Sequence, residues 1–230
     1  MQVAIATGAA AGLVLFLIQW AFVTPLIRQA EVYEGLEGSV VEHHAHDAWE
    51  PADGFERLAY TGLGTVLTGV GFSAVFFGVA SLIGLDLNVR RGLRLGAAGF
   101  LCFALAPSIG LPPTPPGVSG PDLHAAQWWW VLTVVLSGAG LWLLMHPGSS
   151  KLVRGSGALA LAIPHLIGAP AAPASTVFPS AVIWRFAVTA IGTQAIFWLT
   201  LGALGGWVQS RSGTAQTDGR LVPGGSVDRA

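Results

Sequence analysis

Six long apolar stretches, in which Arg154 and Arg185 are the only charged residues, constrain this chain more than any other feature. They cover residues 3–27, 58–85, 95–111, 125–145, 152–169 and 181–208. A helix needs about 20 apolar residues to cross the hydrocarbon core of a bilayer, and these stretches reach or approach that length. Charged residues make up only 10% of the chain, against about 25% in soluble domains. The sequence therefore predicts an all-α, polytopic transmembrane bundle of about six helices, embedded in a lipid bilayer.

The distribution of basic residues predicts how this bundle is oriented. With six spans, one side of the membrane receives Arg90, Arg91, Arg94, Lys151, Arg154, Arg211, Arg220 and Arg229. The other side receives Arg28, Arg57 and Arg185. Because basic loops stay in the cytoplasm, both termini are predicted to be cytoplasmic. The stretch 152–169 is short and contains Pro164, and if it is a re-entrant half-helix the bundle has five spans.

The predicted domain organisation is one transmembrane domain followed by a tail. The domain covers residues 1–208 and includes an extracytoplasmic loop at 28–57 that is rich in histidine and carboxylates. Residues 209–230 are mainly Gly, Ser, Thr and Arg with few apolar side chains. Such a composition cannot offset its ordering entropy by burial, so we expect a disordered cytoplasmic tail.

An internal repeat divides the predicted bundle. Residues 57–65 read RLAYTGLGT and open the second span, and residues 185–193 read RFAVTAIGT and open the sixth. Residues 110–115 and 168–173 share the pattern G-x-P-x-x-P. We expect three two-helix units, 1–85, 92–147 and 152–208. Chance recurrence of Gly and Pro, which are both common in membrane helices, is the alternative.

The segment 28–57 is the strongest candidate for a metal-binding region. It holds eight carboxylates, two arginines and three of the six histidines. Imidazole nitrogen suits Zn, Cu, Ni and Co, and carboxylates add oxygen ligands and negative charge. The predicted capture ligands are His43, His44, His46 and Asp47, and the supporting carboxylates are Glu31, Glu34 and Glu50. Their irregular spacing indicates a capture loop rather than a structural zinc site, and a solvated loop that binds nothing is the alternative.

Histidines and prolines elsewhere extend the predicted metal path. His165 lies at membrane depth, where ionisable groups are costly and usually functional, and His124 falls in another outer loop as an entrance group. Proline removes a backbone donor and frees a carbonyl, which suits a dehydrating cation. The predicted path-lining positions are Pro107, Gly110, Pro112, Pro113, Pro164, Gly168 and Pro170. The alternatives are a histidine that bonds a neighbouring carbonyl, and rigid loops that only cap helices.

Other residues in the outer segments are assigned structural roles. Ion pairs that hold the loop on the bundle are predicted among Asp53, Glu56, Arg57 and Arg185. The run Trp128, Trp129 and Trp130 is typical of an aromatic belt at the membrane interface and receives no ligand role. The chain has no P-loop, no H-E-x-x-H or G-x-S-x-G motif and no basic nucleic-acid patch, so neither an enzyme nor a nucleic-acid partner is predicted.

Several motifs in this chain are specific enough to indicate a family. They include TPLI at 24–27, AEVYE at 30–34, EPADGFER at 50–57, LTGVGF at 67–72, LAPSIGLPP at 105–113, QWW at 127–129, PHLIGAP at 164–170 and FW at 197–198, together with the histidine run 43–46. Over about residues 5–208 the chain resembles the bacterial CbtA-type cobalt transporter subunits. Thr114 and Ala126 depart from the family, which often has Glu and Arg there, and this departure concerns metal choice or loop docking rather than the fold.

The resemblance implies a multi-pass protein of the bacterial cytoplasmic membrane that takes up Co²⁺ for cobalamin synthesis. It implies no permanent cofactor and a small one-helix partner of the CbtB type. Ni²⁺ and Zn²⁺ are the other candidate metals, since raw affinity does not favour cobalt over nickel. Two other functions stay open: an accessory or metal-sensing protein that binds metal without moving it, and a membrane enzyme with a metal-bound water.

Overall fold

The computed structural model describes residues 1–38, 51–173 and 178–218, and it describes the side chains of all of these except residues 34–38 and 212–218. Over these ranges the fold is built from seven helices. The helices are α1 (Gln2–Phe22), α2 (Thr24–Gly38), α3 (Phe55–Leu82), α4 (Val89–Gly110), α5 (Leu123–Met145), α6 (Lys151–Ile167) and α7 (Ser180–Asp218). No strand occurs in these ranges. The predicted all-α class is confirmed.

Five of these helices, α1, α3, α4, α5 and α7, are long and apolar enough to cross a membrane. The sixth predicted span corresponds to α6, which has 17 residues and is therefore about 25 Å long. It packs antiparallel against α5, because Gly157 lies against Gly140 while Pro164 lies against Trp129. The chain consequently changes ends of the bundle along α6, as it does along each longer helix.

Proline divides the first predicted stretch, 3–27, into two helices. Pro25 lacks an N–H group, and its ring disfavours helical geometry at the preceding residue. The structure accordingly ends α1 at Phe22 and begins α2 at Thr24. Part of the segment predicted as a loop is therefore a helix that runs to Gly38 and includes Glu31 and Glu34.

Glycine contacts determine which helices pair. A side chain at Gly8 or Gly69 would overlap the facing backbone of α3 or α1, respectively. Gly92 on α4 lies in the same way against Gly202 on α7. Small residues allow such close helix approach in membranes. Closely packed pairs are thus α1–α3, α4–α7 and α5–α6, with α1 also against α7. Of the three predicted units, only the first brings its own two helices together as a close pair.

A wider turn interrupts α4 in the middle of the bundle. Residues Leu101–Leu105 form a π-helical turn, in which the Ala106 N–H donates to the Leu101 carbonyl. Phe103 in this turn stacks on Trp198 of α7, with ring centroids 5.4 Å apart. Phe72 of α3 packs against both rings. This aromatic cluster joins three helices at the centre of the protein.

The two ends of the bundle differ in charge, and we name them for the residues they carry. The basic end holds the start of α1, the connection from α3 to α4 and the connection from α5 to α6, with Arg90, Arg91, Arg94, Lys151 and Arg154. The Arg57 end holds α2, the start of α3, the connection from α4 to α5 and the connection from α6 to α7. The helix α7 returns to the basic end and continues past Ser210 to Asp218, so part of the predicted tail is helical.

Candidate functional site

Arg57, at the start of α3, forms two ion pairs that connect α2 to α3. Its Nη2 lies 3.0 Å from Glu31 Oε1, and its Nη1 lies 3.3 Å from Asp53 Oδ1. Glu31 precedes the histidine-bearing segment and Asp53 follows it. Each pair is at least partly exposed, with Arg57 at 51% and Glu31 at 39%, so each stabilises the protein by at most about 1 kcal/mol. Their main consequence is positional: both flanks of residues 39–50 meet at one guanidinium.

Glu31 is positioned by the packing of α2 against α7. Val23, Leu26 and Ala30 are buried, and their spacing of three and four residues places them on one helical face. Val23 and Leu26 pack with Phe186 of α7. Further along, the Tyr33 and Phe178 rings lie 5.7 Å apart. A buried apolar face therefore holds α2 in place, while its half-buried Glu31 reaches Arg57.

The start of α3 is ordered by local hydrogen bonds in the same region. Glu56 Oε2 accepts a hydrogen bond of 3.2 Å from the Ala52 N–H, and within the described residues Glu56 forms no ion pair with an arginine. Arg185, on α7, is exposed and has no ion-pair partner in the described ranges. The ion-pair group is thus formed by Arg57, Asp53 and Glu31, and differs from the predicted set of Asp53, Glu56, Arg57 and Arg185.

All four predicted capture ligands, His43, His44, His46 and Asp47, lie outside the described residues. Of the supporting carboxylates, Glu50 also lies outside them, and for Glu34 only the backbone is described. Within residues 1–33, 51–173 and 178–211, no three His, Cys, Asp or Glu side chains come close enough to hold one metal ion. A site with three such ligands in this region would therefore need at least one ligand from a side chain outside those ranges.

His165 lies at the Arg57 end, in the last turn of α6. Its ring meets the ring of Trp129 edge to face, with centroids 6.0 Å apart. The Trp129 Nε1–H donates to the Pro164 carbonyl at 3.2 Å, and the Gly168 N–H donates to the same oxygen at 3.0 Å. Because this carbonyl already accepts two hydrogen bonds, it is not available to a passing cation. His165 is half-buried, and its predicted role as a metal ligand rests on its imidazole alone.

The proline-rich positions fall into buried and exposed sets. Pro107 and Pro164 are buried in the bundle, and the Pro107 carbonyl accepts the Leu111 N–H at 2.8 Å. Gly110 packs against Trp129, where a side chain would collide with the indole ring. Pro112 and Gly168 are exposed, and Pro113 and Pro170 are partly buried, in the connections beyond the helices. The packed positions fix helix ends, which leaves the outer connections as the positions accessible to an ion.

His124 is exposed in the first turn of α5. It contributes, with Leu111 and Trp128, to an open groove of about 700 Å³. Asp122 caps this helix by accepting the Ala125 N–H at 2.9 Å, so the position of His124 is fixed by a capped helix start. The geometry places His124 and His165 on neighbouring ends of α5 and α6.

Two residues at this end have contacts that the sequence patterns did not predict. Trp129 is buried, with only 6% of its surface exposed, and it links α5 to α6. The aromatic-belt interpretation gave it no such role. Its spacing from Thr133 and Ser137, four residues at each step, marks it as part of a buried face. Glu31 bonds Arg57 across 26 positions, a pairing that no local pattern indicates.

The fold and this end of the bundle define a class: a multi-pass membrane protein that carries an ion-paired arginine, Arg57, and two histidines, His124 and His165, at one end of its helices. Within that class the family is clear. The profile described as "Probable cobalt transporter subunit (CbtA)" matches residues 1–210, and the chain belongs to this family. Comparisons with curated proteins and with solved structures give no match.

Proposed function

We propose that this protein is the metal-capturing membrane subunit of a cobalt uptake transporter. The observation that carries the proposal is the double ion pair of Arg57 with Glu31 and Asp53. It joins the two flanks of the histidine-bearing segment at the start of α3. The proposed capture ligands are His43, His44, His46 and Asp47. Family membership supports cobalt as the transported ion, and imidazole and carboxylate ligands suit Co²⁺ as well as Ni²⁺ or Zn²⁺.

The proposed sequence of events runs from the solvent to the helices. The carboxylates of residues 31–56 raise the local concentration of divalent cations, and neutral imidazoles then replace part of the hydration shell. His165, with His124 at the entrance, accepts the ion near the ends of α5 and α6. The connections at residues 111–116 and 168–173, most of whose residues are exposed or partly buried, border this place. The chain itself needs no permanent cofactor for these steps.

The proposal includes a partner and a location. A subunit implies other subunits, and we propose a one-helix, CbtB-like protein as the partner. The location is the bacterial cytoplasmic membrane, with the basic end in the cytoplasm because Lys and Arg collect there. The Arg57 end then faces the solution from which the metal is taken.

Uptake of radiolabelled Co²⁺ in cells that lack their own importers tests the proposal. The chain is expressed with and without the one-helix partner, and protein amounts in the membrane are matched. Uptake is expected to fall in the triple variant H43A/H44A/H46A and in H165A. The matched control is H146A, because His146 lies at the opposite end of α5 beside Trp142 and is expected to leave uptake unchanged.

A second function, metal binding without transport, predicts a different result from the same cells. The purified wild type would bind Co²⁺ and the triple variant would not, while no combination of subunits moved the ion. Equal Co²⁺ binding by the wild type and the triple variant would contradict both functions, because both depend on residues 43–46.

A further inference from the structure

The hairpin of α5 and α6 is attached to the rest of the bundle along one helix. Its two helices pack closely on each other, whereas α1, α3, α4 and α7 form a larger group. Among the described helices, the hairpin packs closely only against α4, at the π-helical turn and the last turn of that helix. There the Trp130 ring lies 6.1 Å from the Phe103 ring, and Trp129 packs against Gly110. The hairpin is therefore a separate packing unit.

The two halves of α4 pack against different groups of helices. A side chain at Gly92 would overlap the backbone of α7, and one at Gly99 would overlap the Trp198 ring of the same helix. The first half of α4 is thus fixed to the larger group. In the second half, a side chain at Gly110 would overlap the Trp129 indole of the hairpin. The π-helical turn lies where α4 passes from one group to the other.

This turn has the backbone features of a helix bend. The Ala106 N–H donates to the Leu101 carbonyl, five residues away instead of four. Pro107 follows directly and has no N–H group, so it donates no hydrogen bond to the Phe103 carbonyl. Sharp bends in helices occur at prolines and at π-helical turns, and such turns are frequent at functional sites. The two halves of α4 are therefore joined by one backbone hydrogen bond fewer at this point.

We propose that the π-helical turn of α4 is a hinge about which the α5–α6 hairpin rotates as one unit. Phe103 is the pivot, because its ring stacks on Trp198 of the larger group and also contacts Trp130 of the hairpin. Hinges are a few residues that absorb the change in backbone angles between rigid groups. Gly110 lies about 10 Å along the helix from Phe103, so a rotation of about 15° moves that end of the hairpin by about 3 Å.

The hinge goes beyond the proposed function but would affect the residues that function uses. His124 at the start of α5 and His165 at the end of α6 lie on the hairpin, whereas Arg57 lies on the larger group. A rotation about the hinge changes the distance of both histidines from Arg57. Many membrane transporters alternate access by rocking one group of helices against another. The hinge is a property of the fold, so its test measures distances within the protein and does not depend on Co²⁺ uptake.

Distances between pairs of spin labels in the full-length protein, reconstituted in lipid nanodiscs, test the hinge. Cys102 is the only cysteine, so label sites are introduced in a C102A background. The test pair is L123C on α5 with L63C on α3, and the reference pair is L63C with W184C on α7. All three positions are exposed. The test pair is expected to show a distance distribution at least about 3 Å wider than that of the reference pair.

Two buried prolines provide a variant and its matched control. P107A supplies the missing N–H group and is expected to narrow the test distribution to the width of the reference. Pro164 is also buried inside a helix, but it lies within the hairpin, so P164A is expected to leave the test distribution unchanged. F103A removes the pivot ring and is expected to widen the test distribution alone. This variant keeps the hinge testable if P107A does not fold.

Several results would overturn the hinge. The first is a wild-type test distribution as narrow as the reference, and the second is a P107A distribution as wide as that of the wild type. Narrowing by P164A to the same extent as by P107A would assign the effect to helix stiffness in general. Equal widening of both pairs by F103A would show a loss of packing throughout the bundle instead of a pivot.

Discussion

Substitution of Gly92 by alanine is the sharpest test of how the bundle is assembled. A methyl group at Gly92 would overlap the carbonyl oxygen of Gly202 on α7 and would lie 3.1 Å from the Gly206 Cα. Both neighbours are backbone atoms of a packed helix, so no side-chain rotation relieves the overlap. The two helices must move apart, and contacts along α4 and α7 loosen with them.

The expected cost follows from the difference between two glycines. Gly71 on α3 is also helical, but a methyl group there meets nothing within 4 Å. Both variants gain the helix propensity of alanine, up to about 1 kcal/mol, and this gain cancels in the comparison. The remaining difference is the overpacking penalty at Gly92, about 1–3 kcal/mol. G92A is therefore expected to be less stable than G71A by that amount.

Reversible unfolding of both purified variants in mixed micelles, followed by tryptophan fluorescence and circular dichroism, measures this difference. In a chain of this length each kcal/mol corresponds to about 2–4 °C in the melting temperature. G71A should unfold at or above the wild-type temperature and G92A below it. Equal stability of the two variants would refute the close α4–α7 contact and the helix pairing that depends on it.

Two further predictions concern the Arg57 end. W129F removes the buried hydrogen bond to the Pro164 carbonyl and should lower the free energy of unfolding by about 1 kcal/mol; W128F, at a position 74% exposed, should change it by less than about 0.5 kcal/mol. R57Q should cost less than about 1 kcal/mol because its pairs are exposed, yet should reduce Co²⁺ uptake. R185Q, the repeat-related control, should retain uptake, and equal losses in both variants would contradict the anchoring role of Arg57.

The helices were largely predictable from the sequence because lipid-facing segments exclude charge. The helix ends in the structure differ from the predicted ends where polar residues belong to the first turn. An example is the start of α5, which the carboxylate of Asp122 caps. The acidic helix α2 was taken for a loop, since its only signal is the short buried series Val23, Leu26 and Ala30. Apart from the α1–α3 pair of the first predicted unit, the helix pairs could not be predicted, because glycines are frequent on most of the spans and only the three-dimensional arrangement shows which helix faces meet.

In the candidate site as well, the contact between residues close in sequence was predicted and the contact between distant residues was not. The pairing of Arg57 with Asp53 spans four residues and was among the predicted contacts. The pairing with Glu31 depends on α2, and therefore on the contact of Leu26 and Val23 with Phe186 of α7. No local pattern determines a contact that is set by a third helix.

The two copies of the repeated motif show how a common helix start acquires a specific role. Thr61 donates its hydroxyl to the Arg57 carbonyl at 2.7 Å, and Thr189 does the same to Arg185 at 2.8 Å, so the local structure is the same. The preceding sequences differ: carboxylates precede Arg57, whereas residues 170–184 contain none. The first copy can therefore bind the flanks of an acidic, histidine-bearing segment, and the second cannot. This asymmetry is why the proposed capture step belongs to α2 and α3, although α7 begins with the same motif.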